Sequence, residues 1–545
     1  MRSNFSDVFL SKGVNYLTGD LPFTAMLRYI GFVPGDDMRR LGRYVSETLI
    51  ESATYIDHYA RPVLRTWGLL DERTDEVWLS PDHRRVLGDL QDFGVVRKAI
   101  ESGSLLSHFA SAYIISDSGL FCTLTLTLQT AYALKKYGSP DLKEKYLGRF
   151  TDTESPWYGA TYYSEIQGGS DLGSNRTVAQ RRESGWIISG NDKYFASDAG
   201  IADGAVVTAR IEGAPEGVKG ISIFFVPATD SNGRANYRIR RLKEKLGTVA
   251  VPTGEVEFER SEGYLLGDER NGIYHALEIL AISRIDDALA AAGMARKALW
   301  EAYRYASKRM AFGKRLIEHP LLLRDFAELE ADLEGALMLS LLAAKRFDES
   351  CEERPPYTDA YHFARMLMHM AKNLASASGA EITRYAMEII GGKGFLTEFP
   401  VEKFHRDEIV TSIWEGTTNI QALDMLELLL RKRTHLSLFS ELETIAARLG
   451  DREDRTRLYD AIDEARAKVE RMLGSANPQF YAKDILNTLA LLTASVHMFA
   501  AAHAEGNSLL RGIASLFFTR HVNKGEIDPS EFLQCGESLK WMGEG

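Results

Sequence analysis

The sequence predicts a mixed α and β chain: a helical N-terminal domain, a middle antiparallel β domain, a four-helix bundle and a helical C-terminal extension. Three observations predict it. Apolar residues recur three and four apart from Asp36 to about Phe150, the period changes to that of strands between Trp157 and Asp268, and long helical segments return from about Gly272. The 545 residues suit three or four domains at about 100–200 residues each. The expected boundaries are 1–155, 156–268, 269–433 and 434–545.

In the first block Leu41, Tyr44, Val45, Thr48 and Leu49, and then Leu105, Phe109, Ala112 and Tyr113, trace helix faces. The middle block reads as strands at Val178–Gln180, Trp186–Ser189, Ala205–Ala209, Gly220–Pro227, Tyr237–Arg241 and Glu255–Phe258. Gly, Asn and Asp punctuate them at 183–185, 189–192 and 230–233. Short strands with no helices between them imply a compact antiparallel sheet. The segments Asn271–Met310, Pro320–Asp348 and Thr358–Ile390 are too long for α/β crossovers and suit a bundle. Beyond Thr434 the chain again reads as helices, including Asp451–Leu473 with a charged outer face. The uncharged stretches Ser118–Leu134 and Ile485–Ala504 carry Thr, Ser, Asn or His and read as buried core helices, so no membrane partner is expected.

Hydrophobic residues at 45% and charged residues at 26%, with 45 Gly and 15 Pro, exclude a largely disordered or collagenous chain. Lys and Arg total 65 against 76 Asp and Glu, a net charge of −11, so no chain-wide field invites a polyanion. Cys122, Cys351 and Cys535 show no CxxC spacing, which argues against a disulfide framework or a zinc module. A cytoplasmic location is expected, since the first residues also lack the charged-then-apolar layout of an export signal.

Four segments offer chemistry. Glu415, in Ser412-Ile413-Trp414-Glu415-Gly416-Thr417, is a carboxylate among bulky apolar residues; it reads as a desolvated base or as an acid favoured by a helix N-terminus. Ile389-Ile390-Gly391-Gly392-Lys393-Gly394 follows a helix rather than a strand, so a dinucleotide-binding fingerprint fails its context and a helix cap remains open. Ser164–Asp171 offers hydroxyls and backbone amides to a polar ligand, or is a plain turn. Arg309–Arg315 ends a helix with a basic cluster that suits a phosphate or the helix dipole. His405, Asp407 and Glu408 do not converge on one helix face, and no metal site is expected. GxSxG, Walker A and HExxH patterns do not occur.

Together, and in this order, these segments resemble the flavin-dependent acyl-CoA dehydrogenases over roughly residues 100–430. The stretch from Ile389 through Pro400-Val401-Glu402-Lys403 and Arg406-Asp407 to Trp414-Glu415-Gly416-Thr417 carries most of the likeness, supported by Ser164-Glu165, Gly169-Ser170-Asp171 and Arg309-x-x-Phe312-Gly313. Gln167-Gly168, Leu242-Lys243-x-Lys245-Leu246-Gly247 and the length beyond Thr434 are similar to the AidB-type branch, associated with alkylation damage and with DNA.

The resemblance implies an acyl-CoA dehydrogenase-like fold, FAD as cofactor, an acyl-CoA substrate, a separate electron acceptor and a homotetramer. Glu415 matches the catalytic base that removes the α-proton while a β-hydride leaves for flavin N5. Tyr163, Ser164, Gly169, Ser170, Phe195, Ser197, Arg309, Phe312, Gly391, Gly392, Trp414, Thr417 and Asn419 match cofactor positions; Ser170, Arg284 and Gly416 match substrate positions. Ile166, Phe195-Ala196-Ser197 and Asn419 depart from the family pattern in ways flavin binding tolerates. Ala281 departs near the expected thioester arm and speaks against ordinary straight-chain turnover. The alternative is an AidB-type stress flavoprotein with weak dehydrogenase activity. Residues 434–545 hold 12 basic and 16 acidic residues, so any DNA binding is expected to be weak.

Overall fold

A computed structural model describes residues 8–183, 185–526 and 528–543. The chain forms two compact units, one of Met1–Ile50, Phe109–Ser116 and Arg284–Gly545, the other of Glu51–His108 and Asp117–Ser283. This division differs from the four sequence blocks. The N-terminal helices are shared between the units, and one boundary falls inside the helix Gly272–Lys308.

The second unit holds the sheets. β1 (Val63–Trp67) and β2 (Arg73–Trp78) form an antiparallel hairpin in a region expected to be helical throughout. Five residues of period-two pattern are too short to stand out beside the surrounding helical periodicity, and the turn relies on Asp71 in the left-handed region. Leu64 and Val77 face the sheet core, whereas Val63, Trp67 and Trp78 are exposed, with the Arg65 guanidinium 3.6 Å from the Trp78 ring.

The main sheet has seven strands: β3 (Gly159–Tyr162), β4 (Val178–Arg181), β5 (Trp186–Ser197), β6 (Gly204–Ile211), β7 (Ile221–Pro227), β8 (Arg238–Leu242) and β9 (Thr253–Leu266). The pairing runs β3-β6-β4-β5-β9-β7, with β8 on β9, and the additional β6–β7 pairing closes it into a barrel. Closure gives β7 a neighbour on each side, whereas β8 pairs with β9 alone among the described residues. The six expected strands all appear, but the sheet is not wholly antiparallel. β3 and β4 both run parallel to β6, one after the other along its edge. β3 carries only four residues, too few to show a period of its own, which hid it in the sequence. Ala160, Tyr162, Trp186, Ile188, Val207, Phe224, Val226 and Phe258 fill the interior, each large one stabilising by about 1.5–3 kcal/mol.

The first unit is helical. Gly272–Lys308, Pro320–Ser350 and Asp359–Ile390 match the expected long segments closely, and Thr358 caps the last by accepting from the Ala360 amide at 3.2 Å. Alanines at 288, 291, 292, 295 and 298 let neighbours approach the first helix closely. Arg296 is among the arginines buried in this unit. Arg296 pairs with Asp20 at 3.0 Å and with Glu330, and Tyr113 donates to Asp20 at 2.6 Å. A third carboxyl beside them, Glu334, is held well above the usual range by burial and by Glu330. Trp541 covers the Arg296 guanidinium at 5.2 Å, and Met542 is buried next to it.

The extension packs on the bundle of its own unit. Its helix Ala482–Glu505 lies against Pro320–Ser350, Asp359–Ile390 and Thr418–Lys432, and 78% of its most apolar window is buried. The stretch Ile485–Ala504 is thus a core helix by its surroundings. Arg511 is paired with Asp451 and Asp454, and Arg520 with Glu328 and Asp332, so these cations are largely neutralised in place.

Candidate active site

Glu415 lies in a turn between the short helical segment Ile409–Ser412 and the helix Thr418–Lys432, whose N-cap is Thr417. The helix-terminus reading is therefore off by one turn: Glu415 precedes the helix and is half-buried. Its backbone is left-handed, φ 55°, and Gly416 follows at φ 102°. A side chain at 416 would meet Gln421 Nε2 at 2.9 Å as well as strained torsions, so the position demands glycine.

Three side chains hold this turn from one direction. Arg284 Nε donates to the Glu415 carbonyl at 2.8 Å, Gln421 Nε2 donates to the carbonyls of Glu415 and Gly416, each at 3.0 Å, and Lys372 Nζ donates to the Gly416 carbonyl at 2.7 Å. Arg284, expected at the substrate channel, is buried, and its Nη1 faces Asp424 at 3.6 Å.

Because both amide hydrogens of Gln421 point at carbonyls, its oxygen must face His369 Nδ1, 2.6 Å away, which makes Nδ1 the protonated ring nitrogen. Burial and the neighbouring arginines push His369 down to about 3, so the ring is neutral. Asp424 anchors the far side, accepting Arg365 at 2.7 Å. Burial acts to raise its carboxyl, but the surrounding positive groups outweigh that and hold it at about 2. Burial also lowers Lys372 to about 8 and raises Asp287 well above the usual range, Lys372 and Arg284 opposing the second shift.

None of Lys372, His369, Gln421 and Asp424 was among the expected site residues. A signal was present: Arg365, His369 and Lys372 form a polar stripe at spacings of four and three along a helix otherwise rich in Met, Leu and Ala.

The second unit presents its own cluster. Tyr194 N–H donates to the Ser164 carbonyl at 3.1 Å, which sets the Ser164 loop beside the end of β5. Phe195 and Ser197 share one face of that strand; Phe195 is exposed, with the Lys243 ammonium 4.8 Å from its ring. The hydroxyls of Ser164 and Ser197 make no hydrogen bond among the described residues. A Cβ at Gly169 would fall 2.3 Å from Ser164 Oγ, so the loop needs glycine there. Glu165 ties the loop down, accepting from the amides of Arg176 and Thr177 and pairing with buried Lys193 at 3.0 Å. Tyr163 is buried and Ser170 exposed. Next to Ser197, Asp198 is fully buried; burial pushes it up to about 7, against a hydrogen bond from Thr123.

In the first unit the Arg309 segment is a tight hairpin, Met310–Ala311 pairing with Lys314–Arg315 around Phe312 (φ 49°) and Gly313 (φ 80°). Arg309 is exposed, as is the Phe312 ring at 94%. Gly391 caps the helix Asp359–Ile390 at φ 77°, as the cap reading had it, and open space surrounds both Gly391 and Gly392. Trp414 is half-buried; Thr417, without a side-chain capping bond, and Asn419 are exposed. In the second unit, hydroxyls unengaged among the described residues beside an aromatic face suit a flat polar ring; in the first, an exposed arginine and open glycines each suit a phosphate. His405, Asp407 and Glu408 turn to Thr383, Lys403 and Thr411 respectively.

Residues 160–261 match the acyl-CoA dehydrogenase middle domain, and residues 270–430 the acyl-CoA dehydrogenase C-terminal domain. The mitochondrial short-chain specific acyl-CoA dehydrogenase of Homo sapiens is 33% identical over 338 residues, 60% of this chain and 77% of that protein. The chain is a member of the acyl-CoA dehydrogenase family. AidB of Escherichia coli (strain K12), which carries an acyl-CoA dehydrogenase name, is 35% identical over 279 residues, 51% of this chain; the match spans about half of AidB, 49%. ACDH-11 of Caenorhabditis elegans, solved in complex with C11-CoA, has a TM-score of 0.82 at 21% identity, covering 98% of this chain and 95% of its own, and shares the acyl-CoA dehydrogenase fold.

Proposed function

We propose that this family member is an FAD-dependent oxidoreductase that removes hydrogen from Cα and Cβ of an acyl-CoA, with Glu415 as the base. The observation that carries the reading is the clamped, left-handed turn that presents Glu415 at the position where the family keeps its base. FAD supplies a two-electron acceptor for the β-hydride. Ser164 and Ser197 would meet the polar edge of its ring system and Phe195 its face. Arg309, Phe312, Gly391 and Gly392 would receive the dinucleotide portion, supplied across a subunit boundary in a homotetramer.

The α-proton of a thioester is weakly acidic, so its removal needs a fixed base and a polarised carbonyl. Glu415 accepts that proton on its carboxylate, and its own backbone N–H is the donor this chain offers to the thioester oxygen. Arg284 and Gln421, bound to the Glu415 carbonyl, fix the peptide that follows Glu415 and so hold this residue in its left-handed turn. The reduced enzyme passes its electrons to a separate acceptor.

A second reading, favoured by the 35% identity to AidB and by Ala281 near the expected thioester arm, is an AidB-type flavoprotein with weak dehydrogenase activity that associates loosely with DNA. Anaerobic titration with a panel of acyl-CoAs, following the flavin absorbance, separates the two. Stoichiometric bleaching by one chain-length class supports the dehydrogenase. No bleaching by any acyl-CoA, in a preparation that is fully loaded with FAD, removes it.

A further inference from the structure

Lys372 is a costly residue to keep where it stands. Its ammonium is buried, and burial alone works to strip its proton. The carbonyl it binds, that of Gly416, already receives a neutral donor from Gln421 at 3.0 Å. A second neutral donor would complete the turn as well without desolvating a charge. What the ammonium adds is its charge.

The groups that act on that charge come from two elements. Arg284 and Asp287 lie on the helix Gly272–Lys308, and Glu415 lies on the turn itself. Asp424, on the helix Thr418–Lys432, is engaged with Arg284 and Arg365. Asp287 is driven towards its neutral form by burial, with Glu415 and Asp286 adding to the effect. Glu415 thus stands as the carboxyl that Lys372 can keep ionised, because attraction between two groups acts equally on both.

We infer that Lys372 is a positioning residue for Glu415: its ammonium, hydrogen-bonded to the Gly416 carbonyl, fixes the left-handed turn and favours the carboxylate form that accepts the substrate proton. This rests on the dehydrogenase reading for its kinetic part only; the clamp itself is a property of the resting protein.

The test compares wild type with Lys372→Met, which removes both donor and charge, and Lys372→Gln, which keeps a donor without charge, each loaded with FAD. Hydrogen–deuterium exchange of the peptide spanning 409–420 reads the clamp. Exchange should rise at least several-fold in Lys372→Met and return towards wild type in Lys372→Gln. The pH profile of flavin reduction by a saturating acyl-CoA reads the charge. Its acid limb should move up by about one pH unit or more in both variants, while KM changes little and kcat falls furthest in Lys372→Met. If Lys372→Met does not fold, Lys372→Gln must still show the displaced acid limb with wild-type exchange. Exchange and acid limb both superposing on wild type would overturn the inference. If no acyl-CoA reduces the wild-type flavin, the dehydrogenase reading fails on its own, and unchanged exchange in the variants is then what overturns the clamp.

Discussion

Asp424 accepts a hydrogen bond from Arg365 at 2.7 Å and lies 3.6 Å from Arg284, so one carboxylate serves a buried guanidinium and a partly buried one. Replacing it leaves both without that partner, and Asp424→Asn should destabilise the protein by about 2–5 kcal/mol. The pH dependence follows from its depressed carboxyl. Its contribution is complete above about 3.9, the ordinary value, and is lost as pH falls towards about 2. Urea denaturation should therefore show a gap between wild type and variant that is widest near neutrality and closes from pH 4 downward.

Glu415→Gln keeps the shape of the side chain and the backbone contacts of the turn, but an amide cannot take the proton. FAD content should be unchanged while reduction by acyl-CoA falls about 10²–10⁴-fold or more. Stopped-flow flavin bleaching at the wild-type rate would assign the base elsewhere.

Arg309 is exposed, and its guanidinium has no ion-pair or hydrogen-bond partner among the described residues. If it grips a phosphate of FAD, Arg309→Ala should lose about 1.5–3 kcal/mol of cofactor affinity, on the order of 10–100-fold. Fluorimetric titration of the apoprotein with FAD, with sedimentation to follow the oligomer, gives the answer. Unchanged affinity would leave only the helix-end role.

Glu408 is fully buried, one oxygen accepting from Thr411 at 2.9 Å, and burial pushes its carboxyl up to about 8. Between about 4.3 and that value the folded protein holds a proton that the unfolded chain has released. The stability contributed by this site is therefore complete below the ordinary carboxyl value and is lost as pH rises towards 8. Glu408→Gln, permanently neutral, should melt close to wild type at pH 5 and clearly higher at pH 8 in calorimetry.

The extension should bind duplex DNA only in the non-specific range, about 10⁻⁴–10⁻⁶ M at physiological salt. Its 12 basic residues are outnumbered by 16 acidic ones, and Arg511 and Arg520 are already paired. Nanomolar, strongly salt-dependent binding in fluorescence anisotropy would reverse this and favour the AidB-type reading.

The long helices and the six marked strands were legible because each carries its own period and punctuation; Gly272–Lys308 and Trp186–Ser197 announce themselves locally. The β1–β2 hairpin and β3 were not, since four or five residues cannot carry a period against their neighbours. Parallel pairing of β3 and β4 with β6 joins segments distant in sequence and leaves no local mark. At the site, Glu415 was visible because a carboxylate between tryptophan and glycine is conspicuous. Its supports were not. Lys372, Gln421 and Arg284 lie on three different helices and acquire meaning only when packing brings them to the same two carbonyls.

The buried ion cluster around Arg296 brings together Asp20, Tyr113, Glu330 and Trp541, residues spread over more than five hundred positions of sequence. While residue 541 is still unsynthesised, the guanidinium lacks its cover. Closing so long a loop of chain is slow relative to local helix formation. The barrel of the other unit draws its strands from residues 159–266 and can pair them much earlier in synthesis. The middle unit therefore has all its strands in hand well before the helical core receives Trp541, so the two units are completed in an order that does not follow the chain.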